Sequence, residues 1–214
     1  MTQMLLKGLL DTIYMTLIST IVAYIIGLPI GISLVVTDEG GIHPMPVYNK
    51  IMGFIVNVVR SVPFLILMIA LMPYVRRIIG TGIGTSATVA VLIVASIPFV
   101  ARLVESSIKE VDMGVIEAAQ SMGASNMTII RKVMLSEARP SLLVGMAVAT
   151  ITILGYSAMA GVVGGGGLGD IAIKYGLYRY ETEIMWITVV ILVILVQIIQ
   201  EIGNKISERL DNRI

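Results

Sequence analysis

The sequence contains no cysteine and a single histidine, and only 14% of its 214 residues are charged, against about 25% in ordinary soluble domains. Without cysteine, disulfides, thiolate metal sites and cysteine nucleophiles are excluded. The lone histidine, His43, lies in a Gly/Pro-rich stretch with no second ligand nearby, and a metal centre needs several convergent ligands. No serine, histidine and carboxylate constellation for nucleophilic catalysis stands out. A net charge of +1 without a basic stripe gives no means of neutralising phosphates, so no nucleic-acid partner is expected. The chain has no G-x-x-x-x-G-K-[ST] loop. If its work is driven by ATP, another polypeptide must hydrolyse the nucleotide. The N-terminus lacks a short basic-then-apolar segment with a small-residue cleavage site, so the first apolar stretch is expected to be retained.

Hydrophobic side chains make up 57% of the chain and mean hydropathy is +0.94, far outside the globular range. The expected class is an all-α integral membrane protein in one domain, 1–214. A helix crossing the hydrocarbon needs about 20 mostly apolar residues. On that rule we place five spans at 12–37, 51–75, 84–103, 140–162 and 184–206, with Gly80, Gly82 and Gly84 making a loop before the third. Lys50, Arg102, Lys109, Arg131, Lys132, Arg139, Lys205, Arg209 and Arg213 fall on one side of these spans. Lys7, Arg76, Arg77, Lys174 and Arg179 fall on the other. The imbalance predicts a cytoplasmic C-terminus and an external N-terminus in a multi-pass protein of the bacterial inner membrane.

Several features admit two readings. The run Gly164 to Gly169 matches a dinucleotide-binding fingerprint in form only, because an uncharged membrane span and not a strand precedes it. Gly161, Gly164, Gly165, Gly166 and Gly167 mark either a turn in an external loop or a hinge or interface segment. Gly27 and Gly31 flank Pro29, which predicts close helix packing or a local kink. Arg60, inside the second span, is either a snorkelling residue near its cytoplasmic end or one with a structural or pathway role. Arg102 is expected to snorkel outward at the end of the third span. Asp170, Glu181 and Glu183 lie near Lys174 and Arg179, as a solvated face or as mixed-charge contacts. The 14 methionines fill apolar gaps and carry no information about substrate.

The stretch from 102 to 139 is the polar island of the chain, holding ten charged residues. Asp112 is placed to cap a short helix, with Val115, Ile116, Ala119 and Met122 forming its apolar face. Gly123 suits a left-handed helix end, and Ser125 caps a second helix carrying Ile129, Ile130, Val133 and Met134. Pro140 fits the first turn of the next span. The product is a helix–glycine–helix elbow in the loop 104–139. It either docks in a partner's groove or lies on lipid.

Glu117-Ala118-Ala119, three residues, Gly123, then Val133 and Leu135 resembles the EAA motif of binding-protein-dependent ABC importer permeases. That motif runs Glu-Ala-Ala, three residues, Gly, nine residues, Ile, one residue, Leu-Pro. Val133 stands at the Ile position and Ser136 replaces the Pro, which leaves the second helix less sharply ended. The stretches 57–64 (NVVRSVPF), 98–102 (PFVAR) and 155–159 (GYSAM), and the 164–169 glycine stretch followed by Tyr175-Gly176, are similar to methionine importer permeases among them.

The resemblance implies a type I ABC importer permease fold, five transmembrane helices with a cytoplasmic coupling-helix loop. It implies a second copy of the chain, two cytoplasmic ATP-binding subunits and an extracytoplasmic solute-binding lipoprotein as partners, with no cofactor and no enzymatic activity in the permease. Glu117, Ala118, Ala119, Gly123 and Ala124 would couple to the ATPase. Tyr156, Ser157 and Met159 are candidates for a gate, since an apolar Met beside flexible backbone suits a dewetting constriction, or they are ordinary packing residues. The implied cargo is L-methionine and D-methionine, the alternative another amino acid or small solute. A self-contained secondary transporter is the distant rival, although neither an internal repeat nor a carboxylate relay is evident.

Overall fold

The computed structural model describes residues 1–210, and all regular structure among them is helical. Arg213, counted above on the basic side, lies outside the described residues. In order come α1 (Thr2–Val36), α2 (Pro46–Ser61), α3 (Phe64–Ile79), α4 (Thr85–Lys109), α5 (Met113–Ser121) and the three-residue α6 (Asn126–Thr128). A π-helical turn (Ile129–Met134), α7 (Leu135–Glu137) and α8 (Arg139–Met159) follow. The chain closes with a 3-10 turn (Ala160–Val163), α9 (Gly167–Ile171), a second π turn (Ala172–Leu177) and α10 (Thr182–Leu210).

Four stretches are long and apolar enough to cross a membrane, Thr2–Val36, Thr85–Lys109, Arg139–Leu177 and Thr182–Glu208, and the pair α2 and α3 makes a fifth if counted as one broken span. Within the expected span 51–75 the helix is broken in two. Pro63 at the start of α3 (φ −55°, ψ 134°) disfavours helical geometry at the residue before it, and the helix stops at Ser61. Gly80 closes α3 in the left-handed conformation, its N–H donating to the Arg76 carbonyl. The first span begins ten residues earlier than its uncharged run, because Lys7 and Asp11 sit within the helix without ending it. The third continues past Arg102 to Lys109. α8 gives way to the 3-10 turn close to the expected stop at Gly161.

The chain forms two compact units, each assembled from three segments. Unit 1 comprises 1–23, 62–96 and 148–201. Its core is made by Met15, Phe64, Met68, Ala87, Val91, Leu92, Ile153 and Ala160, all buried. Unit 2 comprises 24–61, 97–147 and the described residues from 202 onward. Its seam is the contact of α1 with α4 at Gly27 and Gly31. A Cβ on Gly31 would stand 2.6 Å from the Ala101 carbonyl oxygen and 2.7 Å from the Val104 side chain, and one on Gly27 would meet Val100 at 2.8 Å. Small residues let the backbones approach this closely, so the glycine pair serves packing, within a helix that runs unbroken through Pro29.

Candidate functional site

The elbow lies wholly in unit 2. Asp112 begins α5, its Oδ1 accepting from the Gly114 N–H at 2.7 Å, which satisfies a donor left open in the first turn. At the other end Gly123 takes φ +76°. Its N–H donates to the Gln120 carbonyl at 2.9 Å, while the Ala124 N–H reaches back to the Ala119 carbonyl at 3.1 Å. This reciprocal pair is a Schellman termination. Ala119, Gly123 and Ala124 thus build the end of the helix, and Glu117 and Ala118 stand outward, exposed.

Ser125 opens the second limb: its Oγ accepts from the Thr128 N–H at 3.4 Å and its carbonyl from the Ile129 N–H at 2.9 Å. The π turn buries Ile129 and Met134 and exposes Arg131 and Lys132. Helix continues through Ser136 to Glu137. The apolar face of α5 divides in two. Ile116 and Ala119 are buried, whereas Val115 and Met122 are 43% and 81% exposed. With Met113 and Met127, also exposed, they leave an apolar surface that no described residue of the protomer covers. Behind α5, a cavity of about 160 Å³ is lined by Met113, Ile116, Met134, Ile108, Ile42 and Gly40, among others.

The expected snorkelling of Arg102 is corrected. Its guanidinium donates to the Gly53 carbonyl at 3.0 Å and to Asn57 Oδ1 at 2.9 Å on α2, and pairs with Glu105. Glu105 also meets Lys109 at 3.0 Å, and Lys109 meets Asp38 at 2.9 Å. The Lys109 ammonium, and then the Glu39 backbone N–H, hold the Asp38 carboxyl below its ordinary range. Arg60 is exposed in the last turn of α2. His43 is an exposed loop residue, and no cluster of metal-ligating side chains occurs among the described residues.

The candidate gate residues end α8 in unit 1 and face different surroundings. The Tyr156 ring stacks on Phe64 at 4.5 Å with planes 4° apart. Ser157 is buried, its hydroxyl donating to the Leu154 carbonyl at 2.7 Å. Met159 is 52% exposed. The glycines that follow are pinned. The Gly165 N–H donates to the Ala160 carbonyl at 2.9 Å, Thr88 Oγ1 donates to the Gly165 carbonyl at 3.1 Å, and the Gly84 N–H donates to the Gly164 carbonyl at 3.0 Å. A Cβ on Gly161 would stand 2.3 Å from the backbone of Gly169. Beyond this run the Leu168 N–H donates to Thr12 Oγ1 at 2.8 Å. Of the nearby charges, Lys174 pairs with Asp170 at 2.7 Å and Arg179 lies over the Tyr175 ring.

Sequence reasoning missed Thr12 and the Asp38–Lys109–Glu105–Arg102–Asn57 chain. These partners are far apart in sequence, and apart from Glu105 and Lys109, a helical i,i+4 pair, and Arg102 and Glu105, an i,i+3 pair, no local pattern announces them.

Residues 27–210 match the family described as binding-protein-dependent transport system inner membrane component. A relative from Vibrio cholerae, called probable D-methionine transport system permease protein MetI, is 49% identical over 212 residues, 99% of this chain and 94% of the relative. The methionine import system permease protein MetP of Bacillus subtilis is 42% identical over 180 residues, 84% of this chain and 81% of that one. A chain from a solved structure entitled inward facing conformations of the MetNI methionine ABC transporter superposes with a TM-score of 0.97 at 42% identity, covering 99% of this chain and 98% of that chain. The fold is the type I ABC importer permease fold, and the chain belongs to the family of binding-protein-dependent transport system inner membrane components.

Proposed function

We propose that the protein is the membrane-spanning permease subunit of an ATP-driven importer and forms the path by which methionine, the L and the D form, enters the cell. The observation that carries this reading is the elbow. Its helix is capped at both ends, and it presents Glu117, Ala118, Val115 and Met122 outward as a rigid surface in need of a groove. Likeness to permeases named for methionine over nearly the whole chain supplies the cargo. Hydrolysis belongs to two cytoplasmic ATP-binding subunits, and a second copy of this chain completes the path. An extracytoplasmic solute-binding lipoprotein delivers the substrate. The excess of Lys and Arg on one side of the spans supports an external N-terminus and a cytoplasmic C-terminus.

In this assembly Glu117, Ala118, Ala119, Gly123 and Ala124 are the coupling residues. The elbow shifts the permease between its states only by the difference in its contacts with the two states of the ATPase. Met159, exposed at the end of α8, is the constriction, with Tyr156 and Ser157 holding the last turns of that helix. The segment from Gly161 through Gly164, Gly165, Gly166 and Gly167 packs beside it, at the interface with the second copy.

The test is uptake of labelled methionine in vesicles holding the reconstituted complex, omitting ATP and each partner in turn. Uptake that requires all of them supports the reading, and uptake without ATP or preference for another amino acid overturns it. Gly123→Val places a β-branched residue at φ +76° and is expected to leave insertion intact while uncoupling uptake from hydrolysis. Met159→Cys should cross-link across the two copies in a nucleotide-dependent way, and failure in every nucleotide state removes the gate.

A further inference from the structure

The charged face of α4 does more than close its own helix. Arg102, Glu105 and Lys109 follow one another at three and four residues, so they lie along one side of α4. Glu105 is only 9% exposed and is held between the two cations. At one end of the row Lys109 grips Asp38, in the loop that follows α1. At the other end Arg102 grips α2 through the Gly53 carbonyl and Asn57 Oδ1. Its Nε is buried without a partner, a cost that water would relieve if the side chain reached out. The guanidinium is therefore held inward by its bonds to α2 and Glu105. α4 ends at Lys109, and three residues later Asp112 caps the elbow helix. Val111 is buried in this link and donates its N–H to the Ile108 carbonyl. A pull on α5 thus reaches α4 through a three-residue link anchored by the buried Val111, and α4 is bonded to α2.

We infer that Arg102, clamped by Glu105 and Lys109, is a positioning residue that relays displacement of the elbow to α2. The inference rests on the permease reading. Asn57 is the acceptor side chain of the relay, and the Gly53 carbonyl steadies it. Charge-assisted hydrogen bonds of this kind are short and directional, so the link transmits movement along the bond without slack. α2 carries the exposed Arg60 one turn beyond Asn57, so whatever α2 does on that face follows the elbow.

The chain has no cysteine, which allows single labels. Spin labels at Lys50→Cys on α2 and at Lys132→Cys in the π turn, both exposed positions, report distances between the two copies in the assembled transporter. They are read without nucleotide and with ATP trapped. In the parent both distances change. In Asn57→Leu and Arg102→Gln the Lys132 pair should still respond while the Lys50 pair stays still. Methionine moved per ATP hydrolysed should fall about tenfold, the scale of one lost hydrogen bond to a charged group. Asn57→Asp keeps an acceptor for Arg102 and should restore both readouts. Because Arg102→Gln also strips Glu105 of a partner, Asn57→Leu at its exposed position is the deciding variant. An Lys50 pair that moves in Asn57→Leu as it does in the parent overturns the relay while leaving the permease reading intact. A Lys132 pair indifferent to nucleotide in the parent overturns both.

Discussion

Replacing Gly31 by alanine tests whether the seam between α1 and α4 is set by the absence of atoms. The added Cβ would be 2.6 Å from the Ala101 carbonyl oxygen and 2.7 Å from both Cβ and Cγ1 of Val104, where ordinary contact begins at 3.4 Å. The Ala101 oxygen belongs to helical backbone, so it cannot swing aside as a side chain does. The helices must part by several tenths of an ångström along a tightly packed stretch. Overpacking of this kind costs about 1–3 kcal/mol, and alanine in a helix returns up to ~1 kcal/mol relative to glycine. With three contacts under 3.0 Å, one of them to backbone, the upper part of that range applies, and the expected net loss is about 1–2 kcal/mol, or a few degrees in thermal midpoint at roughly 2–4 °C per kcal/mol for a chain of this length. Gly155→Ala is the control. It lies in α8, a Cβ there meets nothing within 4 Å, and the same propensity term should leave that variant as stable as the parent or more so. Thermal unfolding of purified protein in detergent reads both. Gly31→Ala matching or exceeding the parent would refute the close-packing argument.

Three further outcomes follow from other sites. Thr12→Val keeps the side-chain shape but leaves the buried Leu168 N–H without its acceptor. Hydrogen exchange over 165–170 should accelerate in keeping with a loss of about 1–3 kcal/mol, and Thr12→Ser should restore protection. Asp112→Ala removes the cap of a nine-residue helix, worth about 1 kcal/mol. The amides of α5 should then exchange several-fold faster, and unchanged exchange would show that the cap contributes nothing. The Asp38 carboxyl is held below its usual range by Lys109. A depressed carboxylate contributes stability above its unfolded pKa of about 4 and loses it as pH falls through the folded value. Acid unfolding should therefore show a contribution of Asp38 at neutral pH that persists below the ordinary aspartate range. Asp38→Asn should remove it.

The elbow was the most legible part of the fold, because its chemistry is local. An Asp before an apolar turn, a Gly after it and a Ser two residues on each act on backbone groups within a few residues, and Asp112, Gly123 and Ser125 do what that spacing implies. Periodicity was less informative at Val115 and Met122. A 3.6-residue pattern marks apolar positions without saying whether the protomer or a partner covers them, and these two lie outward. The break after Ser61 was masked by continuous hydrophobicity on both sides, although Pro63 carried the signal. Charges at Lys7 and Asp11 hid the first turns of α1, since an apolar window ends where charge begins while helical hydrogen bonding does not. The ties of Arg102 to Gly53 and Asn57, and of Lys109 to Asp38, join partners 45 to 71 positions apart, and only the packed structure brings them together.

The cavity behind α5 has a mechanical meaning beside the seam. Close-packed protein interiors resist compression, and at Gly31 there is no space left to give. Under the elbow, Met113, Ile116 and Met134 border a cleft of about 160 Å³ that is partly open to solvent, and Gly40 borders it with no side chain to occupy it. The helix that meets the outside world has a cleft under part of it, while its link to α4 through the buried Val111 is only three residues long. Ile116 and Ala119 stay buried and hold one face of α5 to the protomer, while the cleft gives a side chain such as Met113 room to change rotamer as a partner docks. Only Glu110, Val111 and Asp112 separate α5 from α4, so a lengthwise pull on α5 meets little slack before it reaches α4.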